Sequence, residues 1–198
     1  MTSVSLWEQH AAATRERILA AVAGLLEEGE LQELTVPAVA EASGVSLRTI
    51  YRYYPTREEL VEAAGRWIGD ELLQHPYPRD LDEVADLFQV GCREFDERPG
   101  LVRSMALSQL GQRVRSYRHR ERLEAIRRAL HEELEGISEQ ELRRAEAVLG
   151  YLHNMLAYTT LREENELTGE EIGEAIGWAI RTLVEDLRKR DHQTRRPT

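Results

Sequence analysis

Between Val45 and Arg57 the sequence VSLRTIYRYYPTR holds three arginines, three tyrosines and no acidic residue. A guanidinium fork matches phosphate oxygens and the O6/N7 edge of guanine. A phenol offers its ring to thymine methyls and its hydroxyl to phosphate. On a helix opened by Ser46, the side chains of Leu47, Arg48, Tyr51 and Arg52 share one face, while Ile50 turns away from it. A short helix of that kind can enter the major groove of duplex DNA, roughly 12 Å wide, N-terminus first. Arg48, Arg52 and Arg57 also fit a plain solvated face, and Tyr51, Tyr53 and Tyr54 also fit packing.

Positioning such a helix needs a rigid frame, and the flanking sequence supplies its parts. Within Leu34 to Leu60, LTVPAVAEASGVSLRTIYRYYPTREEL, Thr35 caps one short helix and Pro37 lies in its first turn, where a missing N–H does no harm. Gly44 can take the positive φ that ends this helix sharply, and Ala40, four residues earlier, keeps two helices close. Val39, Val45 and Ile50 pin the pair against an upstream helix carrying Ile18, Val22, Leu25 and Leu26. That helix starts at Ser5-x-x-Glu8 or at Thr14 and stops near Gly29. Thr56-x-x-Glu59 is a capping box and opens a longer helix with Leu60, Ala64, Trp67 and Ile68 on one face.

These residues resemble the TetR family of transcriptional regulators. TRERIL (Thr14 to Leu19), then LTVPAVAEASGVS, then RTIYRYYPTREEL match that family's N-terminal domain in order and spacing. The resemblance implies that Thr35 contacts phosphate, and that Ser46, Thr49, Tyr51 and Tyr53 make groove and phosphate contacts. Arg57 stands where the family usually has a backbone-gripping lysine. Arg48 occupies a usually small position, Arg52 a variable one, and Leu47 replaces a commonly polar or basic residue. Two arginines on that face give guanine more weight in the operator. The family also implies a ligand cavity among the middle helices and a homodimer built from the last two.

His75-Pro76-Tyr77-Pro78 interrupts the helical pattern and marks a boundary. The expected organisation is a helix-turn-helix domain over 1–56 and an effector-binding and dimerisation domain over 57–198, linked by a helix of about 57–74. Beyond the boundary, Asp80-x-x-Glu83 opens a helix with Phe88, Cys92 and Phe95, and Arg98-Pro99-Gly100 closes it. A short apolar helix spans Leu101 to Leu110, and a long charged one carries Leu123, Ile126, Leu130 and Leu134. Ser138-x-x-Glu141 and Thr168-x-x-Glu171 open the last two of about nine helices. With no alternating apolar run long enough for a strand, the class is all-α.

Phe88, Cys92, Phe95, Met105, Tyr117, Tyr151, Asn154, Met155 and Tyr158 are the candidates for lining an effector cavity, since they mix aromatic, thioether and amide groups. Each also fits ordinary core packing. His153 reads as a polar core or interface residue. The run Arg113, Arg115, Arg118, Arg120 and Arg122, with Glu121 and Glu124 alongside, reads as a solvated face. On the last two helices Leu149, Leu152, Leu156, Ile172, Ile176, Ala179 and Leu183 form apolar stripes that suit a dimeric bundle or the protomer's own core.

The net charge of −10 argues against a general affinity for nucleic acid. Residues 1–70 hold 6 Arg and 11 acids, so attraction to phosphate must be local, within a Debye length of roughly 8 Å. Cys92 is the single cysteine, which excludes an internal disulfide and fits a cytoplasmic protein. No apolar run approaches the ~20 residues of a membrane span, and no secretory leader is visible. Phosphate-loop, HExxH, CxxC and Glu-x-x-His patterns are all missing, so neither an enzyme, a cofactor nor a metal is expected. A structural helical partner protein would explain the amphipathic helices but not Leu34 to Leu60. The expected partners are an operator in double-stranded DNA, a small-molecule effector and a second copy of the chain.

Overall fold

Local capping chemistry sets most helix starts in the computed structural model, which describes residues 6–28, 34–72 and 76–195. Ten helices occur among the described residues, and no strand. The first four are α1 (Leu6–Glu27), α2 (Val36–Ser43), α3 (Leu47–Tyr53) and α4 (Arg57–Leu72). Next come α5 (Leu81–Glu97), α6 (Pro99–Leu107) and α7 (Gln109–Glu133). The chain closes with α8 (Glu139–Leu152), α9 (Met155–Asn165) and α10 (Gly169–Arg195). Thr14 lies inside α1 and does not begin it. Ser5 and Gly29, the expected ends of that helix, lie outside the described residues.

The chain divides into two compact units. The first comprises residues 1–71 and 100–117, and its centre is apolar: Ile18, Val22, Val39, Ile50, Leu60, Ala64 and Ile68 are fully enclosed. Thr35 and Ser46 accept hydrogen bonds from the backbone N–H groups of Ala38 and Thr49, at 3.3 and 3.2 Å, and so begin α2 and α3. Gly44 ends α2 at φ 63°. A Cβ at Gly44 would sit 3.4 Å from a terminal nitrogen of Arg17. That guanidinium donates to the Ser43 carbonyl at 2.8 Å, holding the carbonyl end of α2 to α1.

The second unit, residues 72–99 and 118–198, is organised by α10 lying against α5. Two glycines of α10 permit the close approach. A Cβ on Gly169 would stand 2.5 Å from the Cys92 carbonyl oxygen, and one on Gly173 would stand 3.0 Å from Gln89 Cγ. Asp96, near the end of α5, ties three segments together. Its carboxylate accepts from Tyr158 Oη at 2.5 Å, from Gly169 N at 2.9 Å at the start of α10, and from Arg162. A carboxylate at a helix N-terminus is favoured by the exposed N–H groups and the helix dipole. Arg188 donates to Asp82 and Glu133, at 2.8 and 2.6 Å.

The count exceeds the expected nine because the helix opened by Ser138 stops at Leu152. His153 caps its C-terminus, and Asn154 then accepts from Leu156 N at 3.1 Å to begin α9. Leu152 and Leu156, placed on one stripe in the sequence reading, therefore belong to different helices.

Candidate nucleic-acid interface

α3 has two contrasting sides. Val45, Ile50 and Tyr54 are buried, Ile50 completely, whereas Leu47 and Tyr51 are 43 % and 48 % exposed and Arg48 and Arg52 also face solvent. Leaving Tyr51 and Leu47 half open costs hydration free energy that inward packing would recover. The expected face of Leu47, Arg48, Tyr51 and Arg52 is therefore brought together on one exposed surface. Tyr54 packs inward as expected, and burial raises its phenol above the usual tyrosine range.

The polar residues around α3 are partly engaged. Ser46 Oγ and Thr49 Oγ1 lie 2.9 Å apart while Ser46 also caps the helix, so the two hydroxyls form one unit at its N-terminus. Thr35 is exposed at the start of α2. Arg57 Nε donates to the Leu34 carbonyl at 2.6 Å, which fastens the start of α4 to the residue before Thr35. Tyr53 is half-buried, and the guanidinium carbons of Arg15 and Arg52 each stand 5.1 Å from its ring centroid. Sequence reasoning missed Arg15. It lies on α1, far from the motif in the chain, and no local pattern signals the contact.

Residues 18–64 match the family described as bacterial regulatory proteins, tetR family. Over those residues the chain is similar to a tetR-family domain. That domain spans α2, α3 and parts of α1 and α4, so its centre is the exposed helix just described. Among curated proteins, the chain is 32 % identical over 100 residues to the nucleoid occlusion factor SlmA of Vibrio vulnificus. It is 33 % identical over 89 residues to the uncharacterized HTH-type transcriptional regulator Mb1581 of Mycobacterium bovis. These matches take in 46 % and 44 % of this chain, and the chain spans about half the length or less of these curated relatives, 50 % and 44 %. Among solved structures, a transcriptional regulator from Rhodococcus sp. RHA1 has a TM-score of 0.59 at 23 % identity, over 87 % of this chain and 96 % of that one. NalD of Pseudomonas aeruginosa, described as the secondary repressor of the MexAB-OprM multidrug efflux pump, also scores 0.59, at 14 % identity over 91 % and 96 %. At such identities the structural likeness speaks for the fold.

Outside the tetR-family domain the expected cavity residues separate. Phe88, Phe95, Asn154 and Met155 line one cavity of about 30 Å³, space for one or two waters. Pro76, Tyr77, Pro78, Leu87, Gly91, Arg122 and His153 complete it. The Phe88 and His153 rings lie 5.2 Å apart. In the sequence the Pro-Tyr-Pro segment signals only a boundary, His153 reads as a polar core or interface residue, and Arg122 as part of a solvated face. Cys92 is fully enclosed, and burial pushes its thiol up to about 12, which makes it inert at neutral pH. Tyr158 is buried with its hydroxyl held by Asp96, so its phenol is raised well above the usual range. Tyr151 is 55 % exposed and lines an open groove with Leu123 and Arg143 instead. Met105 is buried in the first unit, and the Tyr117 side chain lies outside the described residues.

The dimer candidates also divide. Leu149, Ile172 and Ile176 are buried within the protomer and have almost no surface to give to a partner. Leu152, Leu156, Ala179 and Leu183 are partly open. Side chains left prominent are Trp178 on α10, 70 % exposed, with Val148 and Tyr151 on α8. The sequence stripes missed them because they fall on the other side of helices whose apolar pattern serves the core.

Proposed function

We propose that this chain is a dimeric transcriptional repressor that releases its DNA operator when a small molecule binds its C-terminal helices. The observation that carries the DNA-binding half is the side of α3 bearing Leu47, Arg48, Tyr51 and Arg52, open to solvent on a helix whose opposite side is sealed. In this reading residues 1–56 bind double-stranded DNA. Arg48 and Arg52 read guanine, Tyr51 meets thymine and phosphate, Leu47 makes apolar contact, and Thr35, Ser46, Thr49, Tyr53 and Arg57 set the backbone register. Residues 57–198 take the effector and the second copy, and the chain acts in the cytoplasm without enzymatic chemistry. A twofold dimer places two such helices about 34 Å apart, so one palindrome engages both.

For the dimer, the supporting observation is the outward apolar surface of Trp178, Val148 and Tyr151 on α8 and α10. A neighbouring groove has Ala145, Val148, Leu183 and Leu187 on its floor and Glu141, Arg144, Asp186 and Arg190 around it. Because both charge signs occur on that rim, a second copy related by a twofold axis can meet it with opposite charges. For the effector, the cavity beside Phe88 and His153 is the starting point. At about 30 Å³ it is closed to a drug-sized molecule, so an effector selects an expanded form. Release follows if that form holds DNA less well.

A mobility shift with duplex DNA from upstream of the chain's own gene tests the reading. Wild-type protein forms a discrete complex whose affinity falls steeply with salt. Tyr51→Ala abolishes the specific complex while leaving circular dichroism and oligomeric state unchanged. A wild-type protein indifferent to such fragments at low ionic strength defeats the proposal.

A further inference from the structure

The Arg15–Tyr53–Arg52 cluster has no part in the capping or packing of α3 described above. Two guanidiniums lie 5.1 Å from one ring centroid, which brings the two positive charges within about 10 Å of each other. Like charges held that close repel, and the ring's negative faces offset the repulsion while fixing where each guanidinium lies. Arg52 Nη2 also approaches Tyr53 Oη at 3.5 Å. Tyr53 is half-buried beside buried Tyr54, so the platform itself is anchored. Both arginines are exposed, and among the described residues neither has a carboxylate partner, although the chain has 36 acids. By contrast Arg66, Arg162 and Arg188 are each joined to an acid.

We infer that Tyr53 is a positioning residue that holds Arg15 of α1 beside Arg52 of α3, and that Arg15 is a DNA-backbone contact. The inference rests on the DNA-binding reading and adds to it a second helix and a different task for Tyr53. One strand carries a phosphate every ~3.4 Å of helix axis, so a pair of cations with this reach spans two or three phosphates. Two backbone phosphates set against the pair offset both charges and relieve their mutual repulsion. Tyr53 thus serves the backbone through the two guanidiniums, and its own hydroxyl stays with Arg52.

The dependence of affinity on salt measures phosphate neutralisation, which a merely structural staple between α1 and α3 does not change. The probe is the duplex from upstream of the gene, titrated by fluorescence anisotropy from low to physiological salt. Arg15→Gln lowers the slope of log affinity against log salt by about 0.9 per half-site, so a threefold rise in salt costs that half-site about threefold less. Arg15→Lys keeps the wild-type slope because it keeps the charge. Tyr53→Phe keeps it because it keeps the ring, and Tyr53→Leu lowers it. Thermal melts of all four variants report folding separately. Equal slopes for wild type and a folded Arg15→Gln overturn the inference and leave the DNA-binding reading standing. A wild-type titration that is flat at every salt concentration defeats both.

Discussion

Replacing Trp178 by alanine separates a dimer surface from a protomer core. The indole is 70 % exposed, and a buried tryptophan hides up to about 250 Å², so covering it with a partner removes roughly 170 Å² from water. At about 25 cal/mol per Å² this is worth about 4 kcal/mol. Ordering and imperfect desolvation at interfaces reduce such figures, and half of it, about 2 kcal/mol, is a sober expectation for one protomer. A twofold interface contains the residue twice, so Trp178→Ala weakens the dimer by about 4 kcal/mol, close to a thousandfold in dissociation constant. Sedimentation equilibrium across nanomolar to micromolar concentrations reads that change directly. The melting temperature of the isolated protomer stays put, because an exposed side chain contributes little to its core. Leu149→Ala is the companion variant. Its side chain is already enclosed, so it lowers protomer stability by about 2–5 kcal/mol. A dissociation constant for Trp178→Ala within threefold of wild type would refute the reasoning.

Three further outcomes follow from other parts of the molecule. Gly169→Ala drives a methyl group against the Cys92 carbonyl and the Asp96 carboxylate, and lowers stability by about 1–3 kcal/mol, seen as a lower urea midpoint. Cys92, pushed up to about 12 by burial, stays unreactive toward a maleimide in folded protein at pH 8 and reacts once urea unfolds it; rapid labelling of the native chain contradicts the burial. Asp82 is held below the usual carboxylate range by its hydrogen bond to Arg188. Its contribution is therefore present above its unfolded value near 3.8 and is lost as pH falls through the lower folded value. Asp82 is largely exposed, so Asp82→Asn costs under about 1 kcal/mol at pH 7, and the difference from wild type shrinks below pH 4; a difference unchanged at pH 3 argues against the pairing.

Much of this architecture was legible wherever one residue acts on its near neighbours. Thr35, Ser46, Thr56, Asp80, Ser138 and Thr168 each open a helix through a side-chain bond to a backbone N–H three residues on, and that chemistry is written in consecutive positions. The exposed face of α3 followed from helical periodicity together with the burial of Ile50. The end of α8 did not, because Leu149, Leu152 and Leu156 keep helical spacing straight across it. The Asn154 side chain, accepting from the backbone N–H of Leu156, breaks the continuity. Cavity lining was legible only in part, since Tyr158 and Phe88 are both aromatic on apolar faces, and which one meets open space depends on distant partners such as Asp96. Arg15 was invisible for the same reason: its ring partner is 38 positions away.

Gly44 gives the α2–α3 corner a separate standing from the side chains that α3 displays. Its left-handed backbone, at φ 63°, strains any residue that carries a side chain, while the neighbouring Arg17 is committed to the Ser43 carbonyl. The hydrogen bonds of Arg17 and Ser43 go to the end of α2 and to Val45, not to Leu47, Arg48, Tyr51 or Arg52. Sequence preference can therefore drift, or be rewritten by design, through exchanges on the outer side of one seven-residue helix, with the hinge beneath it left as it is.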